Sequence, residues 1–409
     1  MARGDTPAKP AILENGMPLD VAAVQAALRA AGLDGWLLYD FHGSNPVAQR
    51  IAGLSSGGHI TSRRWYYLIP AQGAPRGLVH KIERRTLAHL PGTSAEYAGR
   101  VELEAGLAAL LAGMRTIAME YSPRNAIPYV SRVDAGTIEL VRDLGVHVVS
   151  SGDLIQQFEA VWSAAAFTSH RAASERLYRI KDRAFASIAA RLREGVPTTE
   201  HDIQTAMMTW FDEEGLVTDH PPIVAAQENA GNPHYQPLAT GSRPIGRGEA
   251  VLLDLWGKLT APGAVYADIS WMGFTGPEPP APLVAAFTAA RDARDAAVTL
   301  IQESAAAGRE VCGWEADAAA RRVLQAAGFG AAILHRTGHS LGEEVHGNGA
   351  HLDDYETRDE RRLLPGTGFT IEPGLYFDAF GVRTEINIAW GPGGPEVTGP
   401  RQMAVVSVV

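Results

Sequence analysis

The stretch HRTGHSLGEEVHGNG, from His335 to Gly349, places His335, His339 and His346 within twelve positions and among four glycines. His335 and His339 have the spacing of the zinc-binding pattern H-E-x-x-H. That pattern needs a helix and a glutamate directly after the first histidine. Here Arg336 follows, and Gly338 and Gly342 would each weaken a helix by about 1 kcal/mol. The segment therefore reads as irregular backbone that carries imidazoles. Acids in unusual places accompany it. Asp and Glu are disfavoured in strands and rarely buried unless paired or bound to metal. Yet Asp254 lies in VLLDLWG, Asp268 in VYADISWMGF, Glu372 in FTIEPGLYF and Glu385 in GVRTEINIAW, each inside an apolar, strand-like run. One such acid is ordinarily the outer face of an edge strand. Four of them beside a histidine cluster can hold two divalent cations, whose charge offsets the repulsion between carboxylates. Oxygen-rich ligation with little nitrogen and no sulfur favours harder ions such as Mn²⁺, and Zn²⁺, Co²⁺ and Fe²⁺ also suit it. Two ions about 3.5–4 Å apart can bridge a water and make hydroxide near neutral pH, which is hydrolase chemistry.

Other elements must bring these residues together. The chain has 409 residues, enough for two or more domains with a large core. Its 46% hydrophobic and 20% charged residues are those of a globular protein. A formal net charge of -10 offers no basic footprint for phosphate, so no nucleic-acid partner is expected. Cys312 is the only cysteine, which excludes an internal disulfide and a cysteine-based zinc site. The opening MARGDTPAKPAILENG has no apolar h-region, and no stretch reaches the roughly 18 apolar residues of a membrane span. A cytoplasmic protein without a membrane partner is the expectation.

Up to about residue 165 the pattern alternates. A helix over Val21 to Gly32 precedes strand-like runs at Gly35 to Asp40, Arg64 to Pro70, Gly77 to Glu83 and Thr116 to Ser122. A helix over Ala135 to Leu144 then leads to a strand at Val146 to Ser151. This order implies an α/β domain with a partly parallel sheet, in which Trp65, Tyr66 and Tyr67 form core or a subunit contact. Beyond it, helices are expected at about Ser174 to Glu194 and Glu200 to Glu214, the second capped by Thr199 with Asp202. Strands follow at about Ala250 to Gly257 and Val265 to Phe274. The order then repeats, with helices at about Ala281 to Ala306 and Glu315 to Ala327 before strands run to the end. Helix, helix, strands, twice over, suggests two similar halves packed face to face.

The stretches LLDLWG, YADISWMGFTG, GHSLGEEVHG, TIEPGLY and VRTEI together resemble the pita-bread metallopeptidases, family M24, which includes methionine aminopeptidase, aminopeptidase P and prolidase. The resemblance is strong in the second part of the chain. The first part is similar to the N-terminal domain of the aminopeptidase P, prolidase and creatinase branch. The resemblance implies a creatinase-like α/β domain over residues 1–165, followed by an α+β pita-bread catalytic domain over 166–409. It implies a ligand set of Asp254, Asp268, His339, Glu372 and Glu385 for two divalent ions, with Glu372 also relaying protons. By the same likeness His346 lies beside the substrate carbonyl, His234 and His335 belong to the proline side, Arg383 supports the site and Tyr376 lines the pocket. The implied activity is hydrolysis of bonds before proline, as an Xaa-Pro aminopeptidase or an Xaa-Pro dipeptidase, by attack of a hydroxide bridging the metals. A homodimer is implied too. Rival readings are a proline-directed carboxypeptidase, a metal-dependent hydrolase or lyase that is not a peptidase, and an inactive binding relative. One departure stands out. Asp254 and Asp268 are fourteen positions apart, a longer spacing than the family usually has. The two acids share a face only if the turn around Pro262 and Gly263 absorbs the excess.

Overall fold

Six consecutive buried residues make Gly35–Asp40 the central strand, β1, of a mixed sheet. Its side chains alternate between two cores. Trp36 and Leu38 join one apolar cluster, and Leu37 and Tyr39 join another. The architecture comes from a computed structural model that describes residues 19–54 and 61–409. The opening segment on which no leader was read lies outside them. The chain divides into two compact units between Val161 and Trp162.

In the first unit β1 is joined by β2 (Trp65–Pro70), β3 (Arg76–His80), β4 (Thr93–Tyr97), β5 (Thr116–Met119) and β6 (His147–Ser150), in the order β4-β3-β2-β1-β5-β6. β1 runs parallel to β5 and antiparallel to β2. Helices α1 (Val21–Ala30), α2 (Pro46–Ile51), α3 (Arg100–Leu110), α4 (Ala135–Asp143) and α5 (Gly152–Phe158) complete the unit. Trp65, Tyr66 and Tyr67 are all buried in its cores. Two expected strands end early. The run from Gly77 stops at His80, whose Nδ1 accepts the N–H of Ile82 and turns Lys81–Glu83 into a 3₁₀ turn with Ile82 exposed. The run from Thr116 stops at Met119, because the carboxylate of Glu120 turns inward to accept from Trp36, Asn45 and Ser151.

The second unit has α6 (Ala164–Glu194), α7 (Glu200–Glu214), β7 (Leu216–Val217), β8 (Ile223–Ala226), β9 (Ala250–Leu259) and β10 (Ala267–Phe274). There follow α8 (Ala281–Ala306), α9 (Gly313–Ala326), β11 (Ser340–Leu341), β12 (Gly368–Ile371), β13 (Gly374–Tyr376), β14 (Gly381–Arg383), β15 (Ile386–Gly391), β16 (Gly394–Val397) and β17 (Val406–Ser407). The repeated helix, helix, strands order is therefore present. α6 begins well before the expected Ser174. Ser163 caps it by accepting the N–H of Ala166, and its first turns bury polar Ser169 and His170. His170 is held by the carbonyl of Tyr266 and the hydroxyl of Thr398. Buried polar residues hide the apolar stripe by which such a helix is recognised.

The β9–β10 hairpin separates two cores. Val251, Leu253, Leu255, Ile269 and Trp271 pack with residues of α6 and α7. Leu252, Met272 and Phe274 point the other way, into a cluster with Ile371, Leu375, Val382, Ile386 and Ile388 and with residues of α8 and α9. Burial of each such side chain stabilises by about 1.5–3 kcal/mol. The acids of the hairpin lie on this second, inner face. At one edge the fit is tight: a Cβ on Gly368 would stand 2.0 Å from the ring of Trp162. Gly368→Ala should destabilise the protein by about 1–3 kcal/mol through overpacking. Thermal denaturation should show a melting point lower by several degrees, and an unchanged one would contradict this packing.

Candidate active site

The hairpin fixes two of the acids. Its register runs from Phe274↔Ala250 to Ala267↔Gly257, with Asp268 opposite Trp256 and Ser270 opposite Asp254. All four side chains share one face, because directly opposed residues and next-but-one neighbours point the same way. The longer spacing is absorbed in the connection 260–266, where Gly263 takes a φ of 71°. Asp254 and Asp268 therefore lie side by side.

The histidine segment supplies the next group. It is no helix. His339 directly precedes the short strand β11, which pairs antiparallel with β12. The N–H of His339 donates to Oγ1 of Thr370 at 3.0 Å, and the N–H of Thr370 donates to the carbonyl of His339 at 2.8 Å. The glycines here serve close contact between backbones. A Cβ on Gly338 would stand 2.2 Å from the carbonyl oxygen of Thr370, and one on Gly347 would press on Leu341 and Ser340. The other two acids flank β12 and β15. Glu372 and Glu385 each stand one residue beyond the Ile371↔Ile386 pair. The N–H of Glu372 donates to the carbonyl of Thr337 at 2.7 Å, and the N–H of Glu385 to that of Ser270 at 3.2 Å.

These elements bring five residues into one buried group. Nε2 of His339 lies 3.5 Å from Oδ2 of Asp268 and 3.4 Å from Oε1 of Glu372. Asp268, His339 and Glu385 each offer a ligand atom, all within 4.8 Å of one another. Glu372 joins through His339. Asp254 joins through Ser270, whose Oγ lies 2.7 Å from Oδ1 of Asp254 and 2.8 Å from Oε2 of Glu385. Arg383 closes the far side: its guanidinium pairs with Asp254, and its Nε donates to Ser270 at 2.8 Å.

The group fits metal ions. Oδ1 of Asp268 and Oε1 of Glu385 are buried and accept no hydrogen bond among the described residues. Nδ1 of His339 lies 3.2 Å from the carbonyl of Ser340, so the proton belongs on Nδ1 and the Nε2 lone pair faces carboxylate oxygens. Lone pairs aimed at one another in a buried site call for a cation between them. The electrostatics of the protein alone agree. Burial, then the charges of Asp254 and Glu372, raise Asp268 well above the usual carboxylate range. Burial, then Asp268 and Glu372, do the same to Glu385. Burial pushes Glu372 up to about 7 despite the opposing pull of Arg383, and the charge of Asp254 adds to the rise.

The remaining expected residues divide into three places. His346 stacks edge-on against His339, ring centroids 4.3 Å apart, and is lowered to about 4 by burial and then by Arg336, with Asp219 opposing. His335 stands in a relay. Its Nδ1 meets the carbonyl of Arg336 at 2.6 Å, its Nε2 accepts from Oη of Tyr376 at 2.7 Å, and Oη accepts from Nη1 of Arg383 at 2.9 Å. Burial, then Arg383, lowers His335 to about 3, which keeps it a neutral acceptor. His234 is exposed. Arg383 reaches only the carbonyl of the preceding Pro233, at 3.5 Å. Ser270 and Asn387 were not singled out from the sequence. Asn387 accepts from the N–H of Asp268 at 3.0 Å and donates back to its carbonyl, which ties the two sheets together. Ser270 lies two residues after Asp268 in β10, where the period-2 rule places it on the same face, and Asn387 lies two residues after Glu385, which stands just before β15.

Comparison with known proteins agrees with this geometry. The model of metallopeptidase family M24 matches residues 172–390, a span that contains all five acids and imidazoles of the buried group. A probable dipeptidase PepE of Mycobacterium tuberculosis is 26% identical over 351 residues, which cover 83% of this chain and 85% of the relative. An Xaa-Pro dipeptidase of Lactobacillus delbrueckii subsp. lactis is 31% identical over 195 residues, covering 47% of this chain and 48% of the relative. The crystal structure of dipeptidase PepE from Mycobacterium ulcerans superposes with a TM-score of 0.70 at 25% identity, covering 95% of this chain and 96% of that one. The expected pita-bread fold behind an N-terminal domain is thus present, and with the family match spanning over half its length the chain belongs to metallopeptidase family M24.

Proposed function

We propose that this protein is a metal-dependent peptidase that hydrolyses the bond before proline in short peptides. The observation that carries the reading is the buried ring of acids around Nε2 of His339, with two carboxylate oxygens that accept from no donor among the described residues. Relatives named dipeptidase and Xaa-Pro dipeptidase support the class of substrate. Asp254, Asp268, His339, Glu372 and Glu385 would hold two divalent ions, with Mn²⁺ favoured by four carboxylates and one imidazole. Bound ions would supply positive charge, polarisation of the scissile carbonyl and a water acidic enough to attack near neutral pH.

The chain's own groups do the rest. Glu372 takes the proton of the attacking water and returns it to the leaving proline nitrogen. His346 stays neutral above its lowered pKa and donates from its ring N–H to the developing oxyanion. Arg383 pairs with Asp254 and orients it, and through Tyr376 it fixes His335 at the proline side of the pocket, where His234 also lies.

Mass-spectrometric product analysis of Mn²⁺-loaded enzyme tests the reading on Xaa-Pro dipeptides, longer Xaa-Pro-Xaa peptides and Xaa-Ala controls. Cleavage of the dipeptides is expected, with the Xaa-Ala controls slower by about tenfold or more. Release of the first residue from longer peptides would make it an aminopeptidase, and loss of the last residue a carboxypeptidase. Silence towards every peptide would end the peptidase reading. Glu372→Gln should lower kcat by about 10²–10⁴-fold with the fold retained. Stability should also depend on pH in the metal-free protein. Folded carboxyls raised above their unfolded value of about 4.3 favour folding below that pH and lose this contribution as pH rises through the folded pKa. With Glu372 at about 7, the melting point in EDTA should fall between about pH 4.3 and about 7. Excess Mn²⁺ should remove that fall. A metal-free melting point that stays flat over this window would contradict the account.

A further inference from the structure

One large side chain stands on the acid-bearing face with no part in holding the acids. Trp256 lies directly opposite Asp268 in the hairpin and two residues beyond Asp254. It is one of the partly exposed residues in a strand that is otherwise mostly buried. Its indole reaches further from the sheet than an aspartate does, so the ring rises beside the carboxylates.

The neighbouring chain is shaped around this ring. β7 pairs with β9 at Val217↔Lys258, and β8 pairs with it at Ile223↔Asp254. Between those pairings, opposite Trp256, residues 218–222 leave the sheet. Within this detour Asp219 accepts the indole N–H, with Nε1 2.6 Å from Oδ1. Asp219 remains 45% exposed in its side chain. The rest of the ring packs against the small cluster that contains Trp162, Val265, Tyr266 and Leu341 and against the inner core that contains Leu252 and Ile371. The ring is thus clamped from the solvent side by a hydrogen bond and from the protein side by apolar contact.

Its place along the strand gives it a role. Asp254 faces Arg383, and behind Arg383 stand Tyr376 and His335. Trp256 meets Asp219 on the other side of the Asp254–Asp268 pair. A peptide laid over the acids with its proline toward His335 therefore directs the preceding side chain toward Trp256. We infer that Trp256, clamped by Asp219, is a steric wall that selects small residues on the N-terminal side of the scissile bond. This rests on the peptidase reading above.

The test is kcat/KM for Ala-Pro and Phe-Pro with wild type, Trp256→Ala, Trp256→Phe, Asp219→Ala and Asp219→Asn, all loaded with Mn²⁺. The melting-point rise caused by Mn²⁺ is measured in each variant as a check on the metal site. Trp256→Ala should raise the Phe-Pro to Ala-Pro ratio by about tenfold or more, the scale set by filling or emptying an apolar pocket. Trp256→Phe should fall between. Asp219→Ala, an exposed change that spares the core, should relax the ratio in the same direction. Asp219→Asn, which keeps an acceptor oxygen, should restore it, and a merely structural role for Asp219 would not produce that pattern. The Mn²⁺ shift should persist throughout. Turnover by wild type with a ratio unmoved or lowered in Trp256→Ala, or in Asp219→Ala if the former does not fold, overturns the wall. No turnover of either dipeptide by wild type overturns the peptidase reading and the wall with it.

Discussion

The structure turns on the repulsion among buried carboxylates gathered around one imidazole. Asp254 and Asp268 come from two strands and Glu372 and Glu385 from two strand ends, yet all meet within reach of His339 or Ser270. Arg383 pairs directly with Asp254 and only partly offsets the charge of the other three. Burial disfavours the charge on the others and lifts their pKa values, with Arg336 opposing the rise at Glu372 only in part. Such a cluster is costly unless a cation or protons occupy it. The surrounding architecture makes sense as a frame that holds this unfavourable group in place.

The frame works through strand register. The hairpin aligns Asp254 and Asp268 on one face, and the β12–β15 pair delivers Glu372 and Glu385 from the opposing sheet. Three polar contacts join the two sheets where the acids meet. Asn387 grips the backbone of Asp268, the N–H of Glu385 donates to Ser270, and the hydroxyl of Ser270 sits between Asp254 and Glu385. Around them the apolar residues of both sheets interdigitate. Packing therefore supplies the stability, and the polar contacts supply the positions.

Much of this was legible from residue types. Acids inside apolar strands are conspicuous because local propensity and burial both argue against them, and the long helix Ala281–Ala306 was readable from its uninterrupted pattern. What could not be read had a physical reason in each case. The start of α6 was hidden by buried Ser169 and His170, which pair with groups distant in sequence. The end of β3 depended on a local bond from His80 that periodicity does not encode. Ser270 looked like an ordinary strand residue, since its importance comes from two acids that only the fold brings to it. The glycines of the histidine segment argued against a helix, but their use in letting backbone approach backbone, at Gly338 and Gly347, depends on neighbours that only the fold supplies.

The claim on which the rest depends is that the buried acids hold divalent cations. Calorimetric titration of Mn²⁺ into EDTA-stripped, dialysed protein near pH 6.5, in two buffers of different ionisation enthalpy, tests it most directly. Carboxyls raised by burial must lose protons as the metal enters, so saturable binding of two ions per chain with net proton release is the predicted result. Absence of saturable binding, or binding without proton release, would contradict the account.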